Sequence, residues 1–404
     1  MSVLDWNLLL LRDNPFSISP PEEAEDVVWA GLPELKNQIE QKLIEARSSA
    51  TTQVILNRGP LGGGKTHALR FYSLLDNWPP PGSGQRVRDV VVIPVFTPKE
   101  TGKADRDFYV DVLERLGMAR IRQAVISALQ EVGPQAGLVA LQRITGSESL
   151  GRAIQMLGVD DGPAQGHLFK VGSRTERDLL LDAYFLDGCT KAELRKLGLA
   201  RNIDKAQDRF RVLAGLLHCF IGLTPDRQAT THRRVCLWLD ELEDLVYFTA
   251  AQYRPFTQGP RDLIDRLPSF FTLLLNFTLT TPQELDEIEI IMGKPLVDRL
   301  TDYVIFSEMT PEQSLQYVRE LLAHWRTTPP ESLDLSLLYP FKEDALRYLI
   351  ENLDKRTPRS VNKRCHNAAM AALRQRVTET PGEIWVDLDL VKFMARSELD
   401  QEFD

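Results

Sequence analysis

Residues 59 to 66 read Gly59-Pro60-Leu61-Gly62-Gly63-Gly64-Lys65-Thr66, the spacing G-x-x-x-x-G-K-[ST] of a phosphate-binding loop. Glycines at 59, 62, 63 and 64 let the backbone curl closely around a polyphosphate, so that successive N–H groups point at the anion. Lys65 is placed to reach β- and γ-phosphate oxygens, and the Thr66 hydroxyl to ligate Mg²⁺. His67 opens the segment that follows, and its first-turn N–H groups would face the same anion. This chemistry requires a strand before the loop and a helix after it. Gln53-Val54-Ile55-Leu56-Asn57 supplies the first and His67-Ala68-Leu69-Arg70-Phe71-Tyr72 the second. A glycine-rich turn with a chance lysine would not need those flanks.

Four further positions carry chemistry. The apolar run Arg234-Val235-Cys236-Leu237-Trp238-Leu239 ends in Asp240-Glu241, where α/β folds place ligand-binding acids. Asp240 would hold the metal ion or its water shell, and Glu241 would polarise an attacking water. Acids after a strand also occur simply as helix-start residues, the reading that suits Glu243 and Asp244. In the strand Phe271 to Phe277, Asn276 shares its parity with Thr278 and Thr280, so one of the three could bond the γ-phosphate; a capping role competes. Arg299, just before the last strand, could reach a nucleotide on a neighbouring subunit, or could form a surface ion pair with Asp298 or Asp302. Arg359 follows Pro358, a good first helical residue, which puts a cation where the helix dipole disfavours one. A bound phosphate would account for it; Lys355, Arg356, Lys363 and Arg364 around it could equally form a solvated face or a nucleic-acid patch.

The elements that must position these residues alternate between strands and helices, the pattern of a doubly wound parallel sheet. Val90 to Phe96 is a continuous β-branched run, and Tyr303 to Phe306 closes the series of strands. Helical periodicity covers Pro33–Ala46 and, between Thr97 and Thr231, the segments Asp107–Leu116, Arg120–Gln130, Gly151–Leu157, Thr175–Leu186, Ala192–Leu197 and Asp204–Ile221. Ser173-Arg174-Thr175-Glu176 reads as a capping box. The division expected is an N-terminal extension (1–25), a first part of the nucleotide domain (26–96), a helical insertion (97–231), a second part (232–308), and a helical lid with a tail (309–404).

Taken in order, the loop, the Asp-Glu pair, the polar strand end, the pre-strand arginine and the helical arginine resemble the AAA+ ATPases from about Asp26 to Arg376. The loop and Thr357-Pro358-Arg359-Ser360-Val361-Asn362 look most like the origin-recognition-like branch, which includes transposition-regulator ATPases. That resemblance implies an α/β fold, an AAA+ P-loop parallel sheet with a helical insertion and a C-terminal helical lid. It implies ATP and Mg²⁺ as ligands, Asp240-Glu241 as Walker B, Asn276 (or Thr278 or Thr280) as sensor 1, Arg299 as an arginine finger acting in trans, and Arg359 as sensor 2. It also implies that Val28-Trp29-Ala30-Gly31-Leu32 lines an adenine pocket. A looser likeness, carried by Tyr184-Phe185-Leu186-Asp187-Gly188, Leu197-Gly198-Leu199, Asn202-Ile203-Asp204 and Leu237 to Glu243, is to ATP-binding proteins of bacterial phage-defence islands such as BREX. The insertion is longer than origin-recognition proteins show, and about 28 residues follow Arg376, too few for a winged-helix DNA-binding domain.

Bulk properties narrow the partners. A length of 404 residues suits two or three domains, and 43% hydrophobic with 26% charged residues is ordinary for a globular protein. A net charge of −9 argues against coating nucleic acid through bulk charge, while leaving room for a local basic face. Cys189, Cys219, Cys236 and Cys365 are scattered without C-x-x-C pairing, which fits a reducing compartment. The apolar start Val3 to Leu11 lacks the basic flank of a signal peptide, and Phe270 to Leu279 is too short to span a bilayer. The expectation is a cytoplasmic homo-oligomer, a ring or filament, acting on a partner effector protein and possible DNA, with no membrane. Two outputs compete: a DNA-linked regulator or motor in a defence or mobile-element system, and a nucleotide switch that scaffolds an effector without touching DNA.

Overall fold

The structure, a computed structural model, describes residues 5–19, 26–79, 90–98, 103–160, 167–168, 175–224, 233–247, 249–278, 285–327, 335–375 and 380–402. Thr280 and the predicted cap residues Ser173 and Arg174 lie outside them. The chain divides into two compact units, one of residues 1–39, 58–77 and 305–404, the other of residues 40–57 and 78–304.

The second unit holds most of a five-stranded parallel sheet. Its strands are β1 (Gln53–Gly59), β2 (Val90–Phe96), β5 (Arg234–Asp240), β6 (Phe271–Thr278) and β7 (Asp302–Ile305), in the order β2-β5-β6-β1-β7. β2, β5 and β6 run parallel, with Phe96 beside Asp240 and Leu239 beside Leu275. All seven residues of β5 are buried, as are seven of the eight in β6, so both strands are covered on two faces. Even Arg234, at the start of β5, is fully enclosed. Its guanidinium donates to Thr272 Oγ1 at 2.8 Å, to the carbonyls of Thr51 (2.7 Å) and Phe271 (3.1 Å), and to that of Ser49. A buried cation survives only when so satisfied, and here it ties β5 to β6 and to the chain entering β1.

Between β2 and β5 lies the helical insertion: α3 (Ala104–Leu116), α4 (Met118–Val132), α5 (Pro134–Thr145), α6 (Glu148–Gln155), α7 (Glu176–Leu186), α8 (Lys191–Leu197) and α9 (Ala206–Ile221), after α1 (Pro33–Ser48) and α2 (Lys65–Ser73). A small antiparallel pair, β3 (Val159–Asp160) and β4 (His167–Leu168), interrupts it. α5 is an addition to the sequence reading. Gly133-Pro134 marks a break, but Pro134 sits at the first position of a new helix, where its missing N–H costs nothing. The capping box of α7 is also displaced from the expected residues. Thr175 is the cap and Asp178 its reciprocal partner, since Glu176 is already the first residue of the helix and Asp178 the third. α9 is apolar nearly all round and lies in the unit's core, where its Phe210 stacks with Phe108 (5.7 Å between centroids).

α10 (Ala250–Arg266), α11 (Leu285–Met292) and α12 (Lys294–Val297) complete this unit, while α13 (Pro311–Trp325), α14 (Glu343–Glu351), α15 (Pro358–Arg374) and α16 (Leu388–Glu402) form the helical lid in the other. There the apolar N-terminal residues Leu8, Leu9, Leu11 and Phe16 enter the same core as Val318, Leu322, Leu346 and Val361. The N-terminal segment is therefore packed against the lid helices; Asn362 of α15 donates to Ser17 O at 2.7 Å and accepts from Tyr317 Oη at 3.0 Å. No single helix among the described residues is long and apolar enough to cross a membrane. The four cysteines are buried free thiols, and burial pushes Cys219 and Cys236 up to about 12.

Helix α10 contains Gly259 at a point where an added Cβ would fall 1.8 Å from Phe210 Cζ. Alanine should gain up to about 1 kcal/mol in helix propensity. Overpacking against an immobile ring costs about 1–3 kcal/mol. Gly259→Ala is thus expected to lower the urea midpoint with an unchanged slope; a raised midpoint would contradict this packing.

Candidate nucleotide-binding and hydrolysis site

In the first unit the loop is shaped by what passes close to it. A Cβ at Gly59 would lie 2.2 Å from Phe306 O, in the segment whose N–H donates to Arg58 O at 2.8 Å. Gly62 and Gly64 have φ of +76° and +101°, the left-handed region that side chains avoid. A Cβ at Gly62 would also meet Arg359 Cβ at 2.7 Å and Thr357 Oγ1 at 3.1 Å, and Arg359 N–H donates to Gly62 O at 3.3 Å. The first turn of α15 therefore rests on the loop. Thr357 caps that helix by accepting from Ser360 N–H, with Pro358 at its first position, so Arg359 stands in the turn the sequence assigned it and is exposed.

Lys65 begins α2 and is 6% exposed, its ammonium donating to Gly59 O at 2.9 Å and Pro60 O at 3.0 Å. No side-chain hydrogen bond caps α2 and no acid occupies its first turn, a helix start whose chemistry suits an anion. Thr66 is half-buried and Leu61 exposed beside it. His67 is directed away from this chemistry. Its Nε2 lies 2.8 Å from Val28 O, and because a carbonyl only accepts, Nε2 carries the proton. Burial pulls the imidazole below its ordinary pKa, and the Val28 bond opposes that only in part. Trp29 packs edge-on to Phe71 at 5.5 Å and tilts on Tyr72 at 5.8 Å, which places Val28 to Leu32 against the helix that follows the loop.

In the second unit, Asp240 and Glu241 end β5. Glu241 has φ of +60°, a strained position for a residue that carries a Cβ. Three bonds hold it. Asp240 O accepts from Thr97 N–H at 2.9 Å and Thr97 Oγ1 at 2.8 Å, and Glu241 N–H donates back to Asp240 Oδ1 at 3.0 Å. Asn276 is fully buried; its Nδ2 donates to Asp240 Oδ1 at 3.0 Å, while its Oδ1 accepts from Trp238 Nε1 (2.9 Å) and Asn57 Nδ2 (2.8 Å). Thr278 instead gives both its N–H, at 3.1 Å, and its hydroxyl to the Glu243 carboxylate. Thr97, Asn57, Trp238 and Glu243 are the residues the sequence reading did not place here. Asn57 alone left a signal, as the polar interruption in an otherwise apolar strand.

Arg299 is not brought to this group. It pairs with Asp265 of α10 at 2.7 Å and stays partly exposed; neither Asp298 nor Asp302 is its partner, and Asp302 takes Lys42 instead. An exposed pair of this kind is worth under about 1 kcal/mol and exchanges readily.

With β6 between the loop strand β1 and the acid strand β5, and with helices before, between and after the strands, the architecture is an α/β fold built on a five-stranded parallel sheet. No protein-family model and no curated protein matches the chain. Solved structures similar to it include a chain of the Drosophila origin recognition complex bound to DNA, at 11% identity and a TM-score of 0.47, covering 97% of this chain and 64% of that one. Others are the Aeropyrum pernix ORC1 protein in complex with DNA (15% identity, TM-score 0.41, covering 98% and 69%) and a Walker-type ATPase of Pyrococcus abyssi (13%, 0.43, 96% and 78%). The chain thus spans less than two thirds of the length of the Drosophila chain.

Gly62 is the position where loop shape and Arg359 meet. Gly62→Ala should cost about 1–2 kcal/mol of left-handed strain and displace Arg359, weakening ATP binding by about tenfold or more in a titration with a fluorescent analogue. Unchanged affinity in a folded variant would mean that this loop geometry does not hold the nucleotide.

Proposed function

We propose that this protein binds and hydrolyses ATP as an AAA+ ATPase. The observation that carries the reading is the phosphate loop at the end of β1, with left-handed Gly62 and Gly64, an uncapped helix behind it and the first turn of α15 resting on it. A hydroxyl and a buried carboxylate are hard oxygen donors, the set that suits a small divalent cation. Thr66 and Asp240 would hold Mg²⁺, which when bound neutralises charge on the transferred phosphoryl group.

The chain's own residues do the rest. The loop amides and Lys65 bind and orient the polyphosphate, and Arg359 adds a cation to the γ-phosphate end. Glu241, fixed by the grip on its preceding carbonyl, holds and polarises the attacking water. Asn276 positions Asp240 through one amide hydrogen. Arg299 acts on the nucleotide of a neighbouring subunit once Asp265 releases it, so the working form is a homo-oligomer. For the output we favour a DNA-linked regulator or motor of a defence or mobile-element system, because Lys355 and Lys363 are exposed and Arg356 and Arg364 half-buried in a stretch without acids between Lys355 and Arg374. The competing output is the effector-scaffolding switch.

The test is an ATPase assay with and without DNA. Glu241→Gln should retain ATP and lose about 10²–10⁴-fold in hydrolysis, the range for a positioned general base. Lys65→Ala should lose binding, and mixing Arg299→Ala with Glu241→Gln subunits should restore part of the turnover. Wild-type hydrolysis in Glu241→Gln would overturn the site; absence of DNA binding at low salt would shift the output to the effector switch.

A further inference from the structure

Asp240 is reached by a buried relay that starts two strands away. Asn57 on β1 and Trp238 on β5 both direct N–H groups at one atom of Asn276 on β6, at 2.8 and 2.9 Å. An indole N–H can only donate, so the atom facing it must be the amide oxygen. That fixes the orientation of an otherwise reversible side chain: the amide nitrogen, and not the oxygen, faces Asp240 Oδ1 at 3.0 Å. Asn57, Trp238 and Asn276 are each at most 2% exposed, so water cannot take over any of these bonds. The reverse orientation would set amide oxygen against carboxylate oxygen and leave the indole facing an NH₂ group, two unfavourable contacts at once.

We propose that Asn57 and Trp238 are positioning residues for hydrolysis: by fixing the amide orientation of Asn276 they hold the Asp240 carboxylate in the one orientation in which it serves as a metal ligand. The inference rests on the reading of Asp240 as the metal-binding acid of an ATPase. Neither residue touches substrate in this scheme. Each acts through Asn276, whose remaining freedom is to donate. The same carboxylate oxygen also receives Glu241 N–H, so the relay supports the backbone turn that presents Glu241 as well.

The experiment compares Trp238→Phe and Asn57→Leu, which remove each donor at similar volume, with the double variant and with Glu241→Gln. Melting temperature, affinity for a non-hydrolysable ATP analogue, Mn²⁺ affinity in the presence of that analogue, and kcat are measured on the full chain. The double variant should lose about tenfold to hundredfold in kcat, the range for one bond to a charged group, and should bind Mn²⁺ several-fold more weakly. Nucleotide affinity without metal should stay within about twofold, a split that general loosening of the fold would not give. The single losses should also combine non-additively, since both donors serve one oxygen. A folded double variant with wild-type Mn²⁺ affinity and kcat overturns the relay. If the double variant does not fold, Trp238→Phe decides on the same readouts, with no change overturning the proposal. Glu241→Gln separates the two levels: if it is inactive while the relay variants behave as wild type, only the relay fails, whereas if it hydrolyses ATP normally the reading of the site itself is lost.

Discussion

A carboxylate at the end of a strand buried along its whole length is the constraint on which the second unit depends. Asp240 is 2% exposed, and a buried carboxyl group is costly unless hydrogen bonds to it and to the backbone around it offset its lost hydration; here Oδ1 and the carbonyl take them. Thr97, just after β2, grips the Asp240 carbonyl and Asn276 on β6 its side chain, so the chain on both sides of β5 is committed to this one residue. The parallel register, with Phe96 beside Asp240, brings Thr97 there as the next residue of its chain. Glu241 then leaves the strand in a left-handed turn that none of its own preferences would choose. The opposite end of β5 meets the same requirement for Arg234 with backbone carbonyls. The strand is thus anchored at each end by a buried, hydrogen-bonded polar side chain and by apolar burial between them.

The first unit shows a different economy, one of space. Gly59 is set by the close approach of Phe306, Gly62 by φ and by Arg359 and Thr357, and Gly64 by φ alone, with open space around it. An arginine at the start of a helix is normally unfavourable. Here the first turn of α15 is packed onto the glycine loop, where Arg359 N–H donates to Gly62 O.

Much of this was legible from local signals. The loop, the strand before it and the helix after it follow from glycine spacing and from runs of apolar residues. β5 and β6 were readable because strands buried on both faces carry continuous apolar stretches. α5 was not, since Gly133-Pro134 is equally a stop and a start and only packing distinguishes them. The cap of α7 shifted to Thr175 because reach to a particular N–H depends on geometry that a four-letter pattern does not contain. Arg299 illustrates a similar limit. Its sequence neighbours Asp298 and Asp302 were the available partners by proximity in the chain, whereas Asp265, 34 residues away, is the one it meets.

The sequence by itself determined which residues are chemically capable: a glycine-rich loop with the spacing of a phosphate binder, an acid pair after a strand, and arginines near the starts of later elements. Those depend on residue type and near spacing, which folding does not alter. Tertiary structure decided which of them are joined and in what state. It buried Asn276 under two donors, gave Thr278 to Glu243 and set Thr97 beneath Glu241. Such pairings are made between strands distant in sequence, where register and burial, not local preference, choose the partner.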